Sequence, residues 1–381
     1  MGGEPTHLFQ QAREYILQRQ NPAVTESMDP SHSPKLAEVD SLTIHTIVND
    51  EIDQISPSPH PGVKHAQSFM GAPLTSLPGG TQRGGSSKEM RMDTICCGAH
   101  GLSLLITATK DGKSHSLLFD TGPEEAVWER NVTRLGLDAG VIERIVLSHW
   151  HRDHSGGMLS AVRMIEAAKK SSLGEHADSN KVVVDLHPDR PNFRGILAHE
   201  PISLEADPTF AEVEEAGAVV FKSDEAHTML EDTFLVSGSI PRHTAYETGI
   251  RGGIRFTSDE QWVQDELIME ERLVMCNLKG KGLVVFTGCS HAGIVNVSRH
   301  AVELGAGVPL YSLVGGYHLA DGSAEKLEQS MRDLKTLAPK VLMPGHCTGW
   351  RFKVRLEMEM PGCMAPLFGG TKYELISDDS L

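Results

Sequence analysis

The chain has 381 residues, with 35 basic against 51 acidic side chains and a formal net charge of −16. That length buries one large core or two ordinary ones without crosslinks, and the acidic balance disfavours nucleic acid and anionic lipid as general partners, leaving a small-molecule substrate as the expected one. No stretch approaches the ~20 apolar residues a bilayer span needs, the Met1-Gly-Gly-Glu-Pro5 start lacks a basic, apolar leader, and the six cysteines follow neither a secreted framework nor paired Cys-x-x-Cys knuckles, so a cytoplasmic location is expected.

Leu8, Ala12, Tyr15 and Ile16 repeat at helical spacing and predict one amphipathic helix over residues 5–20, packed on the body or on a second subunit of a homodimer. Residues 21–42 are polar and proline-bearing and read as a tether, so the chain divides into a helix and tether over 1–42 and a catalytic domain over 43–381. The first strand is Leu42–Val48, ended by Asn49-Asp50. Residues 55–93, with Pro57, Pro59, Pro61, Pro73, Pro78 and a Gly84-Gly85-Ser86-Ser87 run, read as an irregular insertion, either loosely packed or a lid over a site. His100–Ile106 and His115–Phe119 form a hairpin through Lys110-Asp111-Gly112.

Ile145-Val146-Leu147 is a short buried strand that stops where ligand-type residues begin: His149-Trp-His151-Arg-Asp153-His154. Three histidines and an aspartate this close fit two neighbouring ions better than one, with His149 and His151 on one metal and Asp153 and His154 on the other. A helix follows over 155–170, opened by Ser155 and closed by lysines, and then a strand over 181–186. Three later strands each run into a loop histidine: Leu283–Thr287 into His291, Leu310–Val314 into His318, and Lys340–Met343 into His346, with a helix capped by Ser323 over 323–337.

Each metal needs about three protein ligands with a position left open. His291 and His346 complete the two sites, and His318 completes a site, contacts substrate or supports a ligand. His187 and His243 read as surface histidines. The expected cofactors are two divalent ions, zinc first, with manganese or iron as alternatives.

Leu118-Phe-Asp120-Thr-Gly122, the 149–154 loop, Thr287-Gly-Cys-Ser-His291-Ala-Gly293, Gly315-Gly-Tyr-His318 and Pro344-Gly-His346-Cys-Thr-Gly349 together resemble the metallo-β-lactamase superfamily. The nearer resemblance is to the subgroup that includes the dihydropterin ribofuranosyl-aminobenzene phosphate synthase-like proteins. It spans about residues 43–376, with the 55–93 insertion as a departure and Ser239 where that subgroup usually has Glu. The resemblance implies an α/β fold, an αββα sandwich of two mixed sheets flanked by helices with the metals at one sheet edge, and Asp120 as a support of the ligand loop. It also marks Cys289 as a departure, since many relatives carry a bridging Asp at the corresponding strand end.

The expected activity is hydrolysis of a small carbonyl substrate, a lactam or lactone, by a metal-activated water, with Asp153 and His318 as catalytic candidates. A synthase-like activity is the alternative and predicts a basic phosphate pocket, for which Arg190, Arg194 and Arg242 are the candidates. A nuclease is disfavoured by the charge, and an iron redox enzyme is a further option. Two rivals differ in kind: a non-catalytic binding protein on the same scaffold, and a thiol enzyme with Cys289 as nucleophile and His291 as base.

Overall fold

The structure, a computed structural model, describes residues 35–378 except 54, 57, 59, 66–73, 78–82 and 174–179. The helix expected over 5–20 lies outside the described residues. The end of the expected tether is not a tether: Glu38–Val39 forms a short parallel strand against Asn277 and Leu278.

Alternating apolar residues build the first sheet. In Ser41–Val48, Leu42 and Ile44 point inward, and their cross-strand neighbours Leu104, Ile106, Leu117 and Phe119 share that face. The full order is Val219–Lys222, Val183–Leu186, Arg144–Val146, Lys113–Phe119, Ser103–Lys110, Ser41–Val48, Lys372–Ile376 and Lys64–His65. The second sheet runs His227–Met229, Phe234–Val236, Val274–Leu278, Gly282–Thr287, Leu310–Gly315 and Val341–Pro344, with Glu38–Val39 beside Val274–Leu278. Its central strands are near-continuous apolar runs because both faces are covered.

Leu42, Ile44, Phe119, Val146, Phe234, Phe286 and Met343 pack between the sheets in one core. Helices Glu125–Leu135 and Met158–Leu173 cover the outer face of the first sheet through Trp128, Val132, Val162 and Ile165. Helices Ile294–Leu304, Ala324–Leu337 and Trp350–Glu359 cover the second through Val297, Met331, Leu334 and Phe352. Both sheets mix parallel and antiparallel pairs. The layers are α, β, β, α, as expected. A separate antiparallel sheet of Pro201–Ser203, Phe193–Leu197, Gly253–Phe256 and Trp262–Gln264 sits within the 188–275 segment. Among the described residues no helix is long and apolar enough to cross a membrane.

Two expectations need correction. The helix does not begin at Ser155: Arg152–Ser155 is a single turn, and the long helix begins at Met158. The Ser155 hydroxyl donates to the Asp207 carboxylate instead of capping. The break arises because the 121–123 loop crosses here. A Cβ on Gly156 would lie 1.8 Å from the Pro123 carbonyl oxygen, so only glycine lets the two segments meet. The described residues of 55–93 are also not all irregular. Val63 is buried in the core between the sheets, Lys64–His65 pairs with Tyr373 and Glu374 at a sheet edge, and Leu74–Ser76 pairs with Lys88–Met90.

Parallel pairing and the antiparallel hairpin bring one set of strand ends together. Lys113–Phe119 is parallel to Arg144–Val146, and Ser41–Val48 runs the same way because each is antiparallel to Ser103–Lys110. In the second sheet Gly282–Thr287, Leu310–Gly315 and Val341–Pro344 are mutually parallel. Gly156→Ala, which forces a methyl into a backbone carbonyl, should cost at least about 1–3 kcal/mol, read as a lower urea midpoint; an unchanged midpoint would mean the 121–123 crossing is not rigid.

Candidate metal centre

Every site residue lies just past the carboxyl end of one of these strands. Asp50 follows Ser41–Val48, Asp120 follows Lys113–Phe119, and the 149–154 loop follows Arg144–Val146. Cys289 and His291 follow Gly282–Thr287, His318 follows Leu310–Gly315, and His346 and Cys347 follow Val341–Pro344. Asp50, His151, Asp153, Cys289, His291, His318, His346 and Cys347 line one cleft of about 820 Å³, and Asp120, His149 and His154 lie behind its wall.

The six expected ligands are brought together in two groups. In the first, His149 Nε2 lies 3.0 Å from His151 Nδ1, and His291 Nε2 lies 3.1 and 3.2 Å from those two atoms. In the second, Asp153 Oδ2 lies 3.0 Å from His346 Nε2 and 3.6 Å from His154 Nε2. Cys289 belongs to both, with its Sγ 3.1 Å from His154 Nε2 and within 4.8 Å of the donor atoms of His149 and His291.

Hydrogen bonds behind these rings determine which nitrogen faces the cleft. Ser148 Oγ donates to Asp120 Oδ2 at 2.8 Å, so the 2.9 Å contact between Ser148 Oγ and His149 Nδ1 is donated by the ring, leaving His149 Nε2 with a lone pair. His154 Nδ1 donates to Asp120 Oδ2 at 2.6 Å and His346 Nδ1 to Asp50 Oδ1 at 2.7 Å, which turns both Nε2 atoms towards Asp153. Burial opposes protonation of the two rings, but Asp153 and Asp120 beside His154, and Cys347 and Asp153 beside His346, raise both above the usual histidine range. Burial, reinforced by the neighbouring imidazoles, holds His149 and His291 well below the usual histidine range; burial and then Arg194 do the same for His151. Burial opposes ionisation of Asp153, but His154 and then His346 outweigh it and hold the carboxyl well below the ordinary range.

These donors fit divalent ions. Three ring nitrogens at 3.0–3.2 Å, on imidazoles that burial keeps neutral, cannot all be satisfied by hydrogen bonds to one another. Tetrahedral zinc with bonds of about 2.0–2.1 Å sets neighbouring nitrogen ligands about 3.3 Å apart, close to that triangle.

Asp120 is fully buried and carries the supporting role expected of it, accepting from Ser148 N at 2.7 Å as well as from Ser148 Oγ and His154. His318 joins the cleft with its ring centroid 4.4 Å from that of His291. His187 and His243 stand apart: His187 Nδ1 accepts from Asp189 N, and His243 N donates to Asn296. The three arginines expected to form a phosphate pocket do not. Arg194 is buried against Glu270 and Asp265, Arg190 is spent on the carbonyls of Asp207, Pro208 and Pro191, and Arg242 on those of Ile240, Leu267 and Ile268. No described residue of 55–93 lines the cleft, whereas Leu204, Glu205 and Ile250 of the 188–275 segment do.

Asp50 and His100 were not singled out from the sequence. Asp50 accepts from Gly101 N at 3.0 Å and lies 3.4 Å from His100 Nδ1, and His100 Nε2 lies 3.8 Å from Asp153 Oδ2. The only signal for Asp50 was an Asp at a strand end.

The fold is the metallo-β-lactamase fold. It superposes on a solved metal-dependent hydrolase of the β-lactamase superfamily, Tm1679, with a TM-score of 0.60 at 20% identity, over 88% of this chain and 100% of that one. Among curated proteins the chain is similar to the 7,8-dihydropterin-6-methyl-4-(β-D-ribofuranosyl)-aminobenzene-5′-phosphate synthase of Methanocaldococcus jannaschii, 27% identical over 269 residues, covering 66% of this chain and 82% of the synthase. An uncharacterised protein of the same organism is 27% identical over 264 residues, 68% of this chain and 87% of its own length. No protein-family model matches.

Because Asp50 holds the His346 ring by its Nδ1, Asp50→Asn should weaken zinc affinity about 10–100-fold, measured by competition with a chromophoric chelator. Matching titrations for variant and wild type would remove Asp50 from the centre.

Proposed function

We propose that the chain is a metal-dependent hydrolase acting on a small carbonyl substrate, a lactam or lactone. The observation that carries the reading is the triangle of ring nitrogens from the neutral imidazoles of His149, His151 and His291, set beside Asp153, His154 and His346. The first three residues would hold one divalent ion and the second three another, with Cys289 in reach of both. Imidazole, carboxylate and a nearby thiol suit zinc first, with iron or manganese as alternatives. Ions in such sites supply Lewis acidity, which acidifies water and polarises an acyl oxygen.

The chain's own groups do the rest. The Asp153 carboxylate orients the attacking water and takes up its proton at the oxygen facing the cleft, then passes it to the leaving group. His318, beside His291 in the cleft wall, offers a ring N–H to the substrate. Buried Asp120 and the Ser148 hydroxyl hold the imidazoles in place, so little reorganisation is needed as charge develops.

A second reading is favoured by the similarity to the synthase, which extends over 82% of that protein. Under it the same centre would act on a phosphate-bearing pterin compound. The wall of the cleft supports the first reading better. Asp50, Glu51, Glu124, Asp153, Glu205 and Asp321 line it against only Arg152 and Lys353, which are themselves paired with Glu205 and Glu51. An uncharged substrate meets less repulsion there than a phosphate does.

Purified chain should bind about two zinc ions and turn over members of a lactam and lactone panel. His151→Ala should bind less zinc and lose about three orders of magnitude or more in kcat/KM, the scale of several kcal/mol of Lewis-acid stabilisation. Unchanged turnover in that variant would refute the assignment. Formation of the synthase's named product from a pterin and ribofuranosyl-aminobenzene phosphate, with no lactam or lactone cleaved, would establish the second reading.

A further inference from the structure

The cleft holds a pair of thiols that the hydrolytic chemistry does not require. Cys289 and Cys347 are both free and both line the cleft, Cys289 buried and Cys347 half-buried. Cys347 Sγ donates to the Cys289 carbonyl oxygen at 3.4 Å, which sets its thiol against the residue that carries the other. The strands that carry them are not neighbours, because Leu310–Gly315 runs between Gly282–Thr287 and Val341–Pro344. Two strand spacings, about 9–10 Å, would be too wide for a disulfide.

The loops close that gap over Gly316. Gly316 N donates to Gly288 O at 2.9 Å, and Gly345 N donates to Gly315 O at 2.8 Å. A Cβ on Gly316 would lie 2.4 Å from Gly288 O, 2.6 Å from His346 O and 2.7 Å from Cys347 Sγ. The missing side chain is the space into which Cys347 reaches towards Cys289.

We propose that Cys289 and Cys347 form a reversible disulfide when a hydroperoxide enters the cleft. Cys347, the more exposed of the two, attacks the peroxide oxygen; an S–O bond forms, the O–O bond breaks and one water or alcohol leaves. Cys289 then attacks the Cys347 sulfur, the S–S bond forms and a second water leaves, so two thiols lose two electrons and two protons to one hydroperoxide. The new bond draws Cys289 Sγ away from His154 Nε2, now 3.1 Å distant. The oxidised chain therefore binds its second ion more weakly, and a thiol reductant restores it. The inference rests on the thiol geometry and on the proposed centre only for this last consequence.

Trypsin isolates each thiol on its own peptide, Gly282–Arg299 with Cys289 and Val341–Arg351 with Cys347. Full-length chain, stripped of metal and, in a parallel sample, reloaded with zinc to measure binding, is treated with hydrogen peroxide, alkylated and digested without reductant. The expected result in the metal-free chain is loss of two of the six free thiols, the two peptides joined in mass spectrometry, separation on dithiothreitol, and no joined pair from Cys347→Ser. Peptides that stay separate, thiols oxidised singly to sulfinic acid, or a link to another cysteine would each overturn the proposal. A joined pair in a chain that binds no zinc would uphold the disulfide and end the metal reading; zinc binding without a joined pair would do the reverse.

Discussion

The carboxylate of Asp120 joins two loops that have no other reason to keep one geometry. It is fully buried, and it accepts from the Ser148 amide, the Ser148 hydroxyl and His154 Nδ1 at once. Through the Ser148 hydroxyl it also determines how the His149 ring is turned. A buried charge with fewer partners would be expensive, and one with this many becomes a rigid joint. Both donor groups of the candidate centre lean on it, since His149 lies in the first and His154 in the second. Asp50 does the same for His346 from the next strand of that sheet but one, so ligands from both sheets are oriented by carboxylates of the first.

The strand ends are also where the backbone is strained. Asp120, Ser290, His318 and Cys347 all have left-handed φ, at 57°, 62°, 45° and 53°. Such conformations cost about 1–3 kcal/mol each and persist only where packing over-determines them. Here the over-determination comes from the apolar strands beneath, buried on both faces, and from the close approach around Gly316. The sharp reversals turn the ligand side chains back over the sheet edge instead of letting them continue along the strand.

The acidic cleft and the acidic chain are separate facts with a common consequence. Six carboxylates line the cleft, and those not committed to His346 or to a cation give it a negative field. That field attracts cations and repels anions before any contact is made. It gives the ion-binding reading and the proposal of an uncharged substrate the same electrostatic origin.

The sequence by itself determined the main strands and most of the centre, and the layering was implied by the family resemblance of its motifs. Alternating and continuous apolar runs place Ser41–Val48, Lys113–Phe119 and Gly282–Thr287 in strands, and His149, His151, Asp153, His154, His291 and His346 stand at strand ends where residue type and spacing are informative. Only the tertiary structure decided which neighbours orient those ligands, where the long helix begins, and that Arg190, Arg194 and Arg242 are spent on structural partners. Asp50 and His346 are 296 residues apart, and Gly156 breaks a helix because Pro123 crosses it. Periodicity reports how a residue meets its own element, and these contacts join elements that come together only when the two sheets pack.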